Sequence, residues 1–126
     1  MASTLFIGDK NYSSWLMRPW LVLHAFGIKF TEKPIPFDGC SQSSQFKQSV
    51  AKYSPAGRVP FLQGSNNASP QADPLIIWET LATIEYLAEQ NPQLENWRRN
   101  VGLRAQARSL CAEMHSGFLR CADSAQ

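Results

Sequence analysis

Apolar residues in this chain fall in short runs separated by polar, turn-forming stretches. The first run, Thr4-Leu5-Phe6-Ile7, ends at Gly8-Asp9 and predicts a buried strand. Lys10-Asn11-Tyr12-Ser13-Ser14 reads as a loop, and Trp15 to Phe26 as a helix. Ser13 or Ser14 suits the N-cap of that helix, and Gly27 suits its stop. Pro19 is comfortable only in a first turn, so regular helix starts near Met17 or is kinked at the proline. Phe30 to Pro36 alternates and carries two prolines, as an edge strand does. Asp38 to Ser44 is polar loop, and Gln45 to Tyr53 predicts a short helix ending before Ser54-Pro55.

The next apolar run opens on a proline, in Val59-Pro60-Phe61-Leu62. Proline deletes a ladder hydrogen bond, so this one belongs at the first residue of a strand or on an edge. Val59-Pro60 is also the best candidate in the chain for a cis peptide, because X-Pro bonds reach cis at a cost of roughly 0.5–1 kcal/mol. A cis bond there would turn the Val59 N–H and C=O outward, where an extended peptide could add as a strand. The plainer alternative is a trans proline that merely starts an edge strand. After the turn-rich Gln63 to Pro74, the run Leu75-Ile76-Ile77-Trp78 predicts the second strand of an antiparallel hairpin. Glu79-Thr80 opens a helix with apolar spacing of three to four residues, stopped by Asn91-Pro92. Asn96 to Asn100 reads as a linker, and Leu103 to about Leu119 as a further amphipathic helix. The predicted order is β-α-β-α-β-β-α and then a helix, an α/β thioredoxin-like arrangement with one helix after it.

Composition narrows the class. At 126 residues, 44% hydrophobic and 17% charged, the chain suits one domain or a domain plus part of another. A net charge of +2, with Arg98-Arg99, Arg104 and Arg108 interleaved among other residues, argues against a nucleic-acid partner. No apolar run reaches membrane-spanning length and the start lacks a signal-like pattern, so no membrane partner is expected. Cys40, Cys111 and Cys121 are odd in number and lack paired spacing, which disfavours a disulfide framework, a zinc ribbon or a redox pair. No His, Cys and carboxylate cluster has metal-ligand spacing, so no metal is expected. A cytoplasmic protein is the plain expectation.

Three motifs point to a family. Asn11-Tyr12-Ser13-Ser14-Trp15, Arg58-Val59-Pro60, and Trp78-Glu79-Thr80-Leu81-Ala82-Thr83-Ile84-Glu85-Tyr86-Leu87 together resemble the N-terminal domain of glutathione S-transferases. They look most like bacterial members related to the zeta, maleylacetoacetate-isomerase-like class. The resemblance covers residues 4–90, and Ala105 to Phe118 looks like the first helix of that family's helical second domain. It implies a glutathione-binding domain over residues 1–90, a linker over 91–101 and the first part of the helical domain over 102–126.

The implied co-substrate is glutathione, a tripeptide with a thiol between two carboxylate-bearing ends. Its thiol, like free cysteine, ionises above neutrality, so an enzyme must stabilise the thiolate. A hydroxyl at a helix N-terminus does so by donating a hydrogen bond. By the zeta-like pattern Ser13 is the preferred catalytic donor, with Ser14 supporting and Tyr12 a weaker candidate. Arg58, Val59 and Pro60 form the binding corner, with Val59 pairing to the cysteinyl backbone. Glu79 suits the γ-glutamyl ammonium and Thr80 its carboxylate, although acids also decorate first helical turns with no ligand. Gln45 lines up with a glutamine that reaches the glycyl end, and His115 lies on a helix that faces the electrophile in this family. Trp15, Trp20 and Trp78 read as core, and Arg18 as structural.

Those roles imply a transferase that activates glutathione for attack on an electrophilic small molecule, as a homodimer in full-length form. The alternatives are a maleylacetoacetate cis–trans isomerase and a non-catalytic interaction module. The sequence departs from the family in its long loop from Gly64 to Pro74. It departs again after His115-Ser116-Gly117-Phe118, where Leu119 to Gln126 loses the pattern, so a truncated or frameshifted product is expected. An apolar stripe of Leu103, Ala107, Leu110 and Met114 is then expected to be exposed.

Overall fold

A computed structural model of the chain describes residues 3–8, 14–39, 44–64 and 71–123, the last six of these as helical backbone alone. The chain divides into two compact units, Met1–Ile84 and Glu85–Gln126, a division that falls inside one helix. The strands are β1 (Ser3–Ile7), β2 (Phe30–Pro34), β3 (Phe61–Gly64) and β4 (Leu75–Trp78). The helices are α1 (Met17–Ala25), α2 (Gln45–Ala51), α3 (Thr80–Gln90) and α4 (Val101–Asp123). Their order through α3 is the β-α-β-α-β-β-α of a thioredoxin-like α/β domain, and one long helix follows.

The four strands form one sheet in the order β2-β1-β3-β4. β1 runs parallel to β2 and antiparallel to β3, which in turn pairs antiparallel with β4. Burial follows position in that order. β1 and β3 lie inside, and Leu5, Phe6, Ile7, Phe61 and Leu62 are all buried. Alternation along the strands separates two faces. Phe6 and Phe61 join Ile35 and Val50 in one core cluster, with Phe46, Val59 and Ile76 packed against it. Leu5, Ile7 and Leu62 point to the opposite face. Both prolines of the Phe30–Pro36 stretch are tolerated, because β2 is an edge strand as expected.

α1 shows how local chemistry sets boundaries. A single 3-10 turn, Ser14–Leu16, runs directly into regular helix at Met17, so Pro19 stands third in α1. Its missing N–H there is one that no intrahelical carbonyl would accept. Leu16 occupies the N-cap in right-handed helical geometry with no side-chain cap bond. The expectation that Ser14 caps α1 is therefore corrected, since a 3-10 turn already occupies the place a capping side chain would serve. Residue 13 lies outside the described residues. At the other end Gly27 N–H donates to His24 O, and Ile28 N–H to Leu23 O at 2.9 Å. Gly27 takes φ of 65°, which completes a Schellman stop.

The second unit is held by surface chemistry on α4. Asn100 caps it, its Oδ1 accepting from Leu103 N–H at 3.0 Å. The Arg108 guanidinium donates two bonds of 3.0 Å to the Glu85 carboxylate and lies 5.3 Å from the Trp97 ring centre. Leu103, Leu110 and Met114 are each more than half exposed, while Ala107 is half-buried. Among the described residues no helix is long and apolar enough to cross a membrane.

Candidate functional site

Three strand ends and three helix starts meet at one end of the sheet. In the β1–β3 ladder Phe6 stands opposite Phe61, and in the β3–β4 ladder Phe61 stands opposite Trp78. One step further along each strand are Ile7, Pro60 and Glu79; another step gives Gly8, Val59 and Thr80. The register thus brings Val59-Pro60 between the end of β1 and the start of α3.

Gly8 records how tightly the parts close. A Cβ on Gly8 would lie 3.3 Å from Val59 Cγ2, 3.8 Å from Leu16 Cδ1 and 3.9 Å from Phe46 Cε2. The corner, the turn leading into α1 and the start of α2 therefore converge on one backbone position. Gly8→Ala is expected to cost about 1 kcal/mol, a few degrees in Tm, because the Val59 side chain must yield by tenths of an ångström. A melting temperature equal to that of the parent would show room at the corner.

The Val59-Pro60 peptide is cis. The β3 ladder begins only at Phe61, and the Val59 N–H and C=O make no backbone hydrogen bond to another described residue. Val59 is half-buried, Pro60 buried and Arg58 exposed. The preceding turn is closed by Gly57 N–H donating to Ser54 O at 3.1 Å.

At the start of α3, Glu79 sits in left-handed backbone geometry with φ of 71°. For a residue with a long side chain that is uncommon and costs about 1–3 kcal/mol. Its carbonyl is nonetheless committed to the helix, accepting from Thr83 N–H at 3.0 Å and from Thr83 Oγ1 at 2.9 Å. The Glu79 residue is exposed while Thr80 beside it is buried. Nothing in the sequence signals the left-handed conformation, which glycine, asparagine or aspartate would have advertised.

The start of α2 carries a residue the sequence pattern assigned to polar loop. Asp38 Oδ2 accepts from Gln45 N–H at 2.9 Å and Oδ1 from Phe46 N–H at 3.1 Å. The Phe46 and Gln45 amides hold its carboxyl below the ordinary carboxylate range. The folded group is thus the stronger acid, so its stabilisation is present above the ordinary carboxylate pKa and is lost as pH falls below it. A contact across seven residues has no signature in local spacing. Ser44 was legible in principle, as a serine just before a helical run, and its Oγ accepts from Lys47 N–H at 3.2 Å.

Of the residues singled out from sequence, the structure gathers Val59, Pro60, Glu79 and Thr80 at this end of the sheet. Ser14 opens the turn whose Leu16 reaches Gly8, and Gln45 opens the helix whose Phe46 does so. Arg58 adjoins Val59, and Ser13 lies outside the described residues. His115 belongs to the second unit, half-buried on α4. Trp78, expected in the core, is 42% exposed because β4 is an edge strand, and Leu75 at its other end is 39% exposed. Among the described residues no group of three or more His, Cys, Asp or Glu side chains could hold a metal ion.

Comparison with known proteins gives a consistent picture. A family model described as "Glutathione S-transferase, N-terminal domain" matches residues 12–90. Among solved structures, a glutathione transferase homologue from Burkholderia gl BGR1 with bound glutathione superposes with a TM-score of 0.73 at 25% identity. That match covers 100% of this chain and 60% of the Burkholderia protein. Glutathione transferase Omega 1C from Trametes versicolor gives a TM-score of 0.70 at 21% identity, covering 94% of this chain and 49% of its own. The theta class glutathione S-transferase of Xanthomonas axonopodis pv. citri, with glutathione bound, gives 0.66 at 24%, covering 94% and 50%. No curated protein matches the sequence.

Proposed function

The chain belongs to the glutathione S-transferase N-terminal-domain family, and from that premise we propose that its first unit binds glutathione and activates the thiol for attack on an electrophilic small molecule. The observation that carries this reading is the pairing of Phe61 with Trp78, which brings Val59-Pro60 and Glu79-Thr80 to one end of the sheet, with the Val59 backbone unpaired toward every described residue. An extended tripeptide satisfies those groups as a short antiparallel strand. Its thiol then stands at the corner. The glutathione bound in the Burkholderia and Xanthomonas structures supports the choice of ligand.

The roles follow from charge and geometry. Glu79 takes the γ-glutamyl ammonium, and Thr80 with the start of α3 takes the neighbouring carboxylate. Arg58 adds a cation beside the corner. Gln45 takes the glycyl end. Ser13 donates a hydrogen bond from its hydroxyl to the thiolate, with Ser14 in support, and His115 is the residue proposed for the electrophile pocket. In this proposal residues 1–90 are the binding domain, 91–101 a linker and 102–126 the first part of a helical domain. A homodimer of the full-length form, in the cytoplasm, is the proposed setting.

Retention of the chain on immobilised glutathione is the first expected result, and failure to bind would leave the non-catalytic alternative standing. With a chlorinated aromatic acceptor, Ser13→Ala is expected to lower turnover by about tenfold at neutral pH, since the thiolate fraction then falls toward that of free thiol. Turnover should recover above the free thiol pKa, with glutathione affinity little changed throughout. Unchanged turnover at neutral pH would move the donor role to Ser14 or Tyr12. A maleylacetone-type substrate turned over faster than the aromatic one would favour the isomerase.

A further inference from the structure

The first three residues of α2 have all of their backbone donors committed. A helix leaves its first four N–H groups without intrahelical partners. Here Gln45 N–H goes to Asp38 Oδ2, Phe46 N–H to Asp38 Oδ1, and Lys47 N–H to Ser44 Oγ. Gln48 N–H makes the first bond of the helix proper, to Ser44 O at 3.1 Å. The chain fills that helix end with its own carboxylate, so none of these amides is left to receive a carboxylate from a ligand. A ligand carboxylate arriving there would also meet the negative charge of Asp38. Only a side chain can make the contact, and the one that α2 presents first is Gln45.

We propose that Asp38 is a positioning residue for the glycyl end of glutathione: its two-oxygen clasp fixes the first turn of α2 and so sets Gln45 against the ligand. The inference rests on the glutathione-binding reading above. The clasp has a second fastening, because Phe37, next to Asp38, meets Phe46 edge-on with ring centres 5.3 Å apart. Phe46 in turn packs with Val59 against the Phe6 and Phe61 core and reaches toward Gly8. Release of the carboxylate frees two consecutive amides at once, and the turn bearing Gln45 loses its tie to the segment that precedes it. Asp38 itself is exposed and need touch no ligand.

Calorimetric titration with glutathione and with γ-glutamylcysteine, which lacks the glycyl residue, tests this. Asp38→Ala is expected to raise the Kd for glutathione about three- to tenfold, the loss of one or two net hydrogen bonds' worth of ordering, while leaving γ-glutamylcysteine unchanged. Asp38→Asn keeps one good acceptor and should fall between; it also serves if the alanine variant does not fold. Gln45→Ala should reproduce the glutathione loss, and adding Asp38→Ala to it should change little further. Amide exchange at Gln45 and Phe46 should quicken in Asp38→Ala. Equal weakening of both ligands would show a general structural role and overturn the inference, as would unchanged glutathione affinity with quickened exchange. If the unsubstituted chain binds neither ligand, the glutathione reading itself fails. If it binds both and only the Asp38 variants behave otherwise than expected, the clasp alone is refuted.

Discussion

Phe61→Ala is expected to lower stability by about 3–5 kcal/mol, the range for removing a fully buried aromatic ring from a core that cannot collapse around the space. Phe61 has no exposed surface and lies on an inner strand, paired to both β1 and β4. Its ring stacks on Phe6 with centres 4.6 Å apart and planes 12° from parallel, and Tyr53 lies 6.0 Å away. Val50 and Ile35 close the same cluster, so the void has packed walls on several sides. Phe61→Leu, which refills much of the volume, should cost less than half as much. Denaturant titration reads both. A loss under about 1 kcal/mol in the alanine variant would mean that this cluster is not the centre of the core. Because Phe61 directly follows Pro60, glutathione binding in the variant should fall with the folded fraction and recover where ligand excess restores the fold.

That core was legible in the sequence, because each part of it has a local cause. Short apolar runs bounded by turn residues mark β1, β3 and β4, the alternating stretch with two prolines marks β2, and the proline opening the Val59–Leu62 run marks where β3 can begin. Gly27 marks the end of α1, and Pro19 leaves a helix start near Met17 or a kink, of which the first is found. What escaped has non-local causes. An apolar run reads the same on an edge as in the middle of a sheet, so Trp78 reads as core although β4 has one open side. Ser14 has the chemistry of a cap, yet the backbone enters α1 through a 3-10 turn and Leu16 takes the cap position. Asp38 acts on amides seven and eight residues away, beyond any helical or strand period. The candidate site was legible as motifs, while its assembly came from ladder register, which ends at Phe61 opposite Trp78 and so brings Val59-Pro60 and Glu79-Thr80 to the same end of the sheet.

Glu79 is where local backbone preference and proposed function conflict most openly, and the conflict can be measured. A left-handed φ of 71° favours glycine, so Glu79→Gly should hold or raise stability by up to about 1 kcal/mol, after allowing for glycine's greater freedom in the unfolded chain. The same change removes the carboxylate proposed to meet the γ-glutamyl ammonium. Losing a charge-assisted hydrogen bond of about 1.5–3 kcal/mol should weaken glutathione by about ten- to a hundredfold. Stability and affinity then move in opposite directions, which is the mark of a residue kept for its ligand rather than for the fold. Glu79→Gln separates the two causes, because it keeps the Cβ and loses only the charge. Its affinity should fall nearly as far as that of the glycine variant, without the glycine variant's relief of the left-handed backbone. Destabilisation by Glu79→Gly would show that the chain does not turn through left-handed geometry between β4 and α3. Parent-like affinity in both variants would remove Glu79 from the ammonium site and leave the start of α3 to hold only the carboxylate.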